Sequence, residues 1–366
     1  MKKILWVAPN LNHYKSRFLN RLVQTNALNL TLISGSELKN TGHRNDGDKE
    51  LFYKVAVDAK KEKFSFCLSV YIRLFEVIKN QRINMVMMPV EKKFIPLIIY
   101  LFILKFFFRF SLVSYNHPLT ARKTSAYFNL EKKVNKLLFS LYDKVVFYTS
   151  QSRDWAVKEE IVSWDRAFFA NNTLDTEQIW KNYTFKVNTS SEKTILFIGR
   201  LIPNKNIDLL FEYYRELKKY VSDIKLIIIG DGPMAYKVRD ALRSDDSIIW
   251  RGAVVDENRI AYDMRRAHLV FVPGHSGLSI VHAFCYGKPY ATLSSYKNHP
   301  PEIDYLQDDV NGLILEGNLV EDDCNKIISF LSNDIKYEKA CRTAFETAKS
   351  LSIENWCLQM QKSLNL

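Results

Sequence analysis

The sequence predicts an α/β protein of two doubly wound domains, each built on a parallel sheet, with the two sheets facing a cleft between the domains. Three observations predict it. The chain has 366 residues, room for about two domains of ordinary size. Short apolar runs of buried-strand type alternate with helical stretches along its length. A polar segment without large apolar side chains, 186–193 (KVNTSSEK), separates two such alternating sets. The expected domains are 1–185 and 186–350, with 351–366 as a terminal helix packing back toward the first domain.

Taken in order, the first half offers buried strands at Lys3–Ala8, Leu28–Ser34, Asn84–Pro89, Ser111–Tyr115 and Lys144–Tyr148. Helices at Ser16–Thr25 and Ser69–Asn80 carry apolar residues three and four apart. The second half restarts with a strand at Thr194–Ile198 and continues with Leu226–Ile229, Ile248–Trp250, Leu269–Val272 and Pro289–Leu293. Helices Ile207–Val221, Met234–Arg243, Asp256–Arg266 and Ser279–Tyr286 lie between them, and Ile353–Leu364 places Trp356, Met360 and Leu364 on one helical face.

Composition removes several classes. At 47% apolar and 25% charged residues, the chain is neither disordered nor a disulfide scaffold. Its five cysteines are scattered and form no CxxC pair, which fits small buried hydrophobes in a reducing cytoplasm. The apolar run after Met1-Lys2-Lys3 is too short for a secretory signal, and the longest, Phe94 to Leu104, is too short to span a bilayer. Charge is uneven: residues 1–180 hold 28 Lys and Arg against 16 Asp and Glu, so the whole formal excess of +12 lies there. Lys92, Lys93, Lys105, Arg109, Arg122, Lys123, Lys132, Lys133 and Lys136 surround the aromatic run 94–110. That pattern suits an anionic membrane surface, with Ile98–Phe108 as a buried crossover helix the competing reading.

Chemistry concentrates in the second half. The first strand there runs into Gly199 and Arg200, and Lys205 and Asn206 follow before the helix at Ile207. A glycine at a strand tip lets a ligand approach the backbone, and a guanidinium beside an ammonium suits phosphate oxygens. A second strand ends in Gly230-Asp231-Gly232-Pro233, and Arg251 follows the third. Then Gly274, His275, Ser276, Gly277, Leu278 and Ser279 open a helix whose first N–H groups can receive a diphosphate, with His282 one turn inside. His299-Pro300-Pro301-Glu302-Ile303 and Asn311-Gly312 complete the series.

In order and near spacing, FIGRLIPNKN, IGDGP, PGHSGLSIVHAFCYGKP and PPEID…VNG resemble the carboxyl-terminal half of GT-B glycosyltransferases of the retaining GT4 family, glycosyl transferases group 1, over about residues 194–315. The resemblance implies a GT-B fold of two Rossmann-like domains and a hexosyltransferase-type activity. A UDP- or GDP-linked sugar is the donor, with no metal and no other cofactor. Arg200 and Lys205 then neutralise the leaving diphosphate. Gly199, Asn206, Gly232, Arg251, Gly274, His275, Ser276, Gly277, Leu278, Ser279 and His282 form the donor site. The family has two glutamates eight positions apart where this chain has Gly274 and His282. His282 can still exchange one hydrogen bond with a ribose hydroxyl, whereas Gly274 offers no side chain. The resemblance therefore speaks for the diphosphate site more than for the sugar contacts.

In the first half, Asn12, His13, Tyr14 and Lys15 follow the first strand, where such enzymes form the acceptor side. His117 in SYNHP matches a histidine near the reacting sugar, and Asn172-Thr173-Leu174-Asp175 matches the segment before the linker. The setting implied is assembly of bacterial surface polysaccharide on a lipid-linked saccharide, by a cytoplasmic protein peripheral to the inner face of the plasma membrane. No GxGxxG opens either half, which disfavours a nicotinamide dehydrogenase, and no nucleic-acid-binding motif is present. A catalytically impaired GT-B-like scaffold and a basic nucleic-acid-binding protein are the alternatives.

Overall fold

In the computed structural model the chain divides into two compact units, 1–172 with 353–366, and 173–352. The structure describes residues 1–8, 13–26, 28–35, 50–58, 61–116, 126–295 and 299–366.

The first unit is a seven-stranded sheet in the order β3-β2-β1-β4-β5-β6-β7. Its strands are β1 (Lys3–Ala8), β2 (Asn29–Gly35), β3 (Tyr53–Val57), β4 (Met85–Met87), β5 (Ser111–Asn116), β6 (Lys144–Phe147) and β7 (Ala167–Phe169). Every neighbouring pair is parallel. The helices are α1 (His13–Asn26), α2 (Leu68–Gln81), α3 (Ile95–Phe108), α4 (Ala126–Ser140) and α5 (Ser150–Lys158), joined from the chain's end by α13 (Ile353–Leu364). Trp356, Met360 and Leu364 of α13 are buried against Phe18, Leu19 and Leu22 of α1. The Trp356 indole N–H donates to the Tyr115 hydroxyl at 2.9 Å. An apolar helical face thus finds its partner across almost the whole chain length.

The second unit has six parallel strands in the order β10-β9-β8-β11-β12-β13. They are β8 (Thr194–Ile198), β9 (Lys225–Ile229), β10 (Ile248–Trp250), β11 (Leu269–Phe271), β12 (Tyr290–Leu293) and β13 (Gly312–Leu315). Around them lie α6 (Thr176–Asn182), α7 (Ile207–Tyr220), α8 (Ala235–Leu242), α9 (Glu257–Arg266), α10 (Leu278–Cys285), α11 (Val320–Ser332) and α12 (Asp334–Ser350). Strand order reverses between β8 and β11, and the crevice outside their carboxyl ends is where such sheets take ligands.

Three strands escaped the sequence reading. β3 and β7 are edge strands with incomplete burial, and β13 is a four-residue edge strand that begins at Gly312. The boundary also differs. Residues 173–193 belong to the second unit. The Trp180 indole donates to the Cys285 carbonyl and the Tyr183 hydroxyl to the Tyr286 carbonyl, both at 3.0 Å. The polar stretch 186–193 is tied down as well: Asn188 Nδ2 donates to the Arg266 carbonyl at 2.7 Å, and His268 Nε2 lies 3.1 Å from the Ser190 carbonyl oxygen. Its side chains looked like a linker, but its backbone and amides are satisfied by the second unit.

His268 is fully buried, and its Nδ1 accepts from the Thr194 N–H at 3.2 Å. Burial, aided by the Lys193 charge, lowers its pKa to about 4. An unfolded histidine titrates near 6.5 and takes up the proton first, so the stabilisation is complete above that pH and is lost as the pH falls toward 4. Calorimetric scans across this window should show the melting point of His268→Asn falling less steeply than that of the parent chain. Equal slopes would remove His268 as the cause.

Candidate functional site

Gly199 and Arg200 follow β8, Gly232 follows β9, Arg251 follows β10 and 273–277 follow β11, so the sheet collects all of them at its carboxyl edge. The centre of the arrangement is Lys205, which is buried although it carries an ammonium. Its stem folds back over Gly199: a Cβ added there would stand 3.3 Å from Lys205 Cε. Nζ donates to the His275 carbonyl, and in return the His275 N–H donates to the Asn204 carbonyl at 2.8 Å. The loop after β8 and the loop after β11 are thereby fastened together. Gly274 is the contact point, since a Cβ there would lie 2.1 Å from the Asn204 carbonyl oxygen and 2.9 Å from Lys205 Cα. The family's glutamate at this position is therefore excluded by the path of the Lys205 loop.

Burial, and secondarily the Arg200 charge, lower the Lys205 pKa to about 8. Among the described residues no carboxylate pairs with Lys205 or with the exposed Arg200. A buried cation without a counter-charge is costly, and a ligand anion relieves that cost. His275, half-buried beside it, has its pKa lowered by desolvation and by Lys205, so its ring is neutral at pH 7. Asn206 sits at φ 52 in the left-handed region, closing the turn before α7, a conformation asparagine tolerates better than most residues.

The loop into α10 is braced from beneath. The Ser276 hydroxyl, fully buried, donates to the Gly274 carbonyl at 2.9 Å and lies 3.0 Å from Thr292 Oγ1. Tyr290 donates to Ser276 at 3.0 Å and lies 2.8 Å from the Ser279 hydroxyl. The Ser276 N–H donates to His299 Nδ1 at 3.2 Å, while His299 Nε2 lies 2.9 Å from the Leu293 carbonyl. Ser276 therefore supports the loop, and its side chain is turned away from any ligand over the sheet edge. The N–H groups of Gly277, Leu278 and Ser279 stand at the start of α10, where a helix has no internal acceptors to offer them.

Two further residues stand differently from expectation. Arg251 is committed to Asp263 through Nε and Nη2, both at 2.9 Å, which takes its fork away from a diphosphate. Gly232 belongs to a turn that holds the strand tip: the Leu201 N–H donates to the Asp231 carbonyl and the Met234 N–H to the Leu201 carbonyl, both at 2.9 Å. His282 is on α10, and its Nε2 lies 3.2 Å from a carboxylate oxygen of Glu257. The Tyr286 hydroxyl donates to the same carboxylate at 2.6 Å. Glu257, missed in the sequence because it lies on α9, places a carboxylate beside the position where the family has one. Tyr290 and Thr292 were also missed, although their i, i+2 spacing on β12 puts them on one face.

On the first unit, Asn12 and His117 lie outside the described residues, and His13 and Tyr14 open α1. Lys15 lines a pocket of ≈ 380 Å³ at the carboxyl ends of β1 and β5, with Trp6, Tyr115, Trp356 and Asn172 among its walls.

Comparison with known proteins agrees with this fold. A glycosyltransferase from Rickettsia africae superposes with a TM-score of 0.73 at 16% identity, covering 99% of this chain and 98% of that one. Anabaena HepE in complex with UDP gives 0.68 at 13% identity over 100% of both chains. These likenesses show the fold, which is GT-B: two parallel-sheet α/β domains in one chain. Residues 180–347 match the family described as Glycosyl transferases group 1, and the second unit belongs to it. A Staphylococcus aureus poly(ribitol-phosphate) alpha-N-acetylglucosaminyltransferase is 24% identical over 173 residues, 45% of this chain and 34% of that protein. A Corynebacterium glutamicum GDP-mannose-dependent alpha-mannosyltransferase is 26% identical over 176 residues, 47% of this chain and 39% of that protein. The chain thus covers under half the length of the curated relatives it matches.

Two outcomes are expected of the Lys205 loop. If Arg200 and Lys205 hold a nucleoside diphosphate, UDP affinity measured by titration calorimetry should fall as the pH rises through 8, because the amine loses its proton, and Lys205→Met should weaken binding and flatten that dependence. Gly274→Ala should displace the Lys205 loop and lower UDP affinity about tenfold or more, while circular dichroism stays unchanged. Retained affinity in that variant would contradict the packing described.

Proposed function

We propose that the protein transfers a sugar from a nucleoside diphosphate to a hydroxyl, with the anomeric configuration retained, as a GT4 hexosyltransferase. One observation carries it: Arg200 and Lys205 stand at the tip of β8 with no carboxylate partner among the described residues, in a loop fastened to the one that opens α10. Departure of the diphosphate builds negative charge as the sugar becomes oxocarbenium-like. Arg200 offers a donor fork and Lys205 its remaining N–H donors, and the N–H groups at the start of α10 add a third source. Losing one well-aimed donor of this kind typically costs about 10²–10³ in kcat, roughly 3–4 kcal/mol. With two side-chain cations meeting the diphosphate, turnover proceeds without a metal. The departing phosphate oxygen takes the acceptor's proton on the same face of the sugar, which accounts for retention without a covalent nucleophile.

His282, held by the Glu257 carboxylate, binds a ribose hydroxyl in place of the family's glutamate. The donor is UDP- or GDP-linked: HepE is described in complex with UDP, and the Corynebacterium relative as GDP-mannose-dependent. The acceptor is a lipid-linked saccharide of bacterial surface polysaccharide assembly. It binds on the first unit around the pocket that Lys15 and Asn172 line, and that unit's positive charge brings the cytoplasmic protein to an anionic membrane.

The test is a screen of UDP- and GDP-sugars by melting-point shift, followed by release of the nucleotide with acceptor present. Arg200→Ala combined with Lys205→Met should abolish release in a folded variant, and added chelator should leave the parent rate unchanged. The anomeric coupling of the product in NMR decides retention. Nucleotide binding without turnover on any sugar would favour the scaffold reading, which the glycine at 274 favours too.

A further inference from the structure

The helices α2 and α3 pack side by side, with the rings of Tyr71 and Tyr100 at 4.9 Å and those of Phe75 and Phe108 at 5.7 Å. The inner face of α3 is fully used: Leu97, Ile98, Leu101 and Leu104 are buried. Its outer face is just as apolar and is not covered. Ile99, Ile103 and Phe106, spaced i, i+4, i+7, form one exposed stripe, beside which Phe107 is 76% exposed. On α2 the same spacing gives a second stripe, Leu68, Ile72 and Phe75. Phe75 of this stripe also packs edge-on against Phe108 at the carboxyl end of α3, so the second stripe runs alongside that helix. An apolar patch of this extent on a folded chain marks an interaction site.

Charge selects the occupant. Residues 61–116 carry nine Lys and Arg against three Glu. Lys92 and Lys93 stand just before α3, Arg109 just after it, and Lys79 and Arg82 at the end of α2. Lys79, Arg82 and Arg109 are exposed and meet no carboxylate among the described residues. A second copy of the chain would bring this positive rim against itself, which like-charge juxtaposition opposes. No helix among the described residues is long and apolar enough to cross a membrane, and α3 has 14 residues where about 20 are needed. Apolar side chains in the middle, cations at the margin and a length that cannot span are the properties of an element lying in the plane of an interface.

We propose that the outer face of α2 and α3 inserts into an anionic lipid bilayer, with Phe106 and Phe107 entering the acyl boundary and Lys79, Arg82 and Arg109 meeting lipid phosphates. This deepens the membrane reading above by naming the face and adding an apolar contribution to the electrostatic one. The experiment is flotation of the full chain with vesicles of phosphatidylcholine alone and with phosphatidylglycerol added, at low and high salt. The parent chain should float with the anionic vesicles and keep part of that binding at high salt, because insertion is not screened. Phe106→Ser with Phe107→Ser, both exposed and harmless to the core, should lower the partition about tenfold or more. If parent and double variant float equally and high salt releases both, the insertion is overturned while electrostatic membrane contact stands. If neither floats, both are overturned. A concentration-dependent dimer in sedimentation that the double variant abolishes would assign the face to a second copy and overturn the proposal.

Discussion

The carboxyl edge of the second unit's sheet is organised around the buried ammonium of Lys205. Lys205 reaches back over the tip of β8 and hydrogen-bonds the backbone of the loop after β11. Together with the His275 N–H bond to the Asn204 carbonyl, the cation fastens these two loops to each other. Holding a lysine charged near pH 7 in that position costs the free protein about 3 kcal/mol in order of magnitude, the equivalent of lowering its pKa to about 8. Placed at the edge where strand order reverses, the charge prepares the site for an anion before any anion arrives.

That constraint explains details that look like losses when the chain is set against its family. Gly274 fills the position of a donor-contacting glutamate, and the structure leaves no room for any side chain there, because the Asn204 and Lys205 backbone passes against it. Glu257 on α9 holds His282, at the second glutamate position, from the side and accepts from Tyr286, so a carboxylate stands beside that position. The hydroxyls of Ser276, Ser279, Tyr290 and Thr292 form a buried network that fixes the height of the loop above the sheet. Such a network is rigid only when its members are satisfied, and these satisfy one another.

The two units differ in what they present. The formal charge of residues beyond 180 balances to zero, so the positive character at the tip of β8 is local, made by Arg200, Lys205 and the start of α10 rather than by a basic domain. The first unit is basic over a broad surface and carries an apolar face that its own fold leaves open. A short-range, geometrically exact site suits a small dianion, while a diffuse field with an apolar centre suits an extended surface.

The sequence by itself determined the α/β class, most strands and helices, and the motifs at strand ends, because these follow from local periodicity and from glycines at turns. Thr194–Ile198, Ile248–Trp250 and Ile353–Leu364 were legible to the residue. Edge strands such as Tyr53–Val57 were not, since half-exposed residues lack a buried-strand pattern. Lys205 was recognisable as a cation near a phosphate site, but its burial and lowered pKa depend on a carbonyl seventy residues away in the chain. Arg251 reads as a donor-site residue in the sequence, but Asp263 holds its guanidinium in the fold, and no spacing connects Glu257 to His282. Helix α3 read equally well as buried or as surface-seeking, and only packing showed that one half of it is each. Residue types and short spacings are local properties, whereas partners, exposure and desolvation are set by which elements the fold brings together.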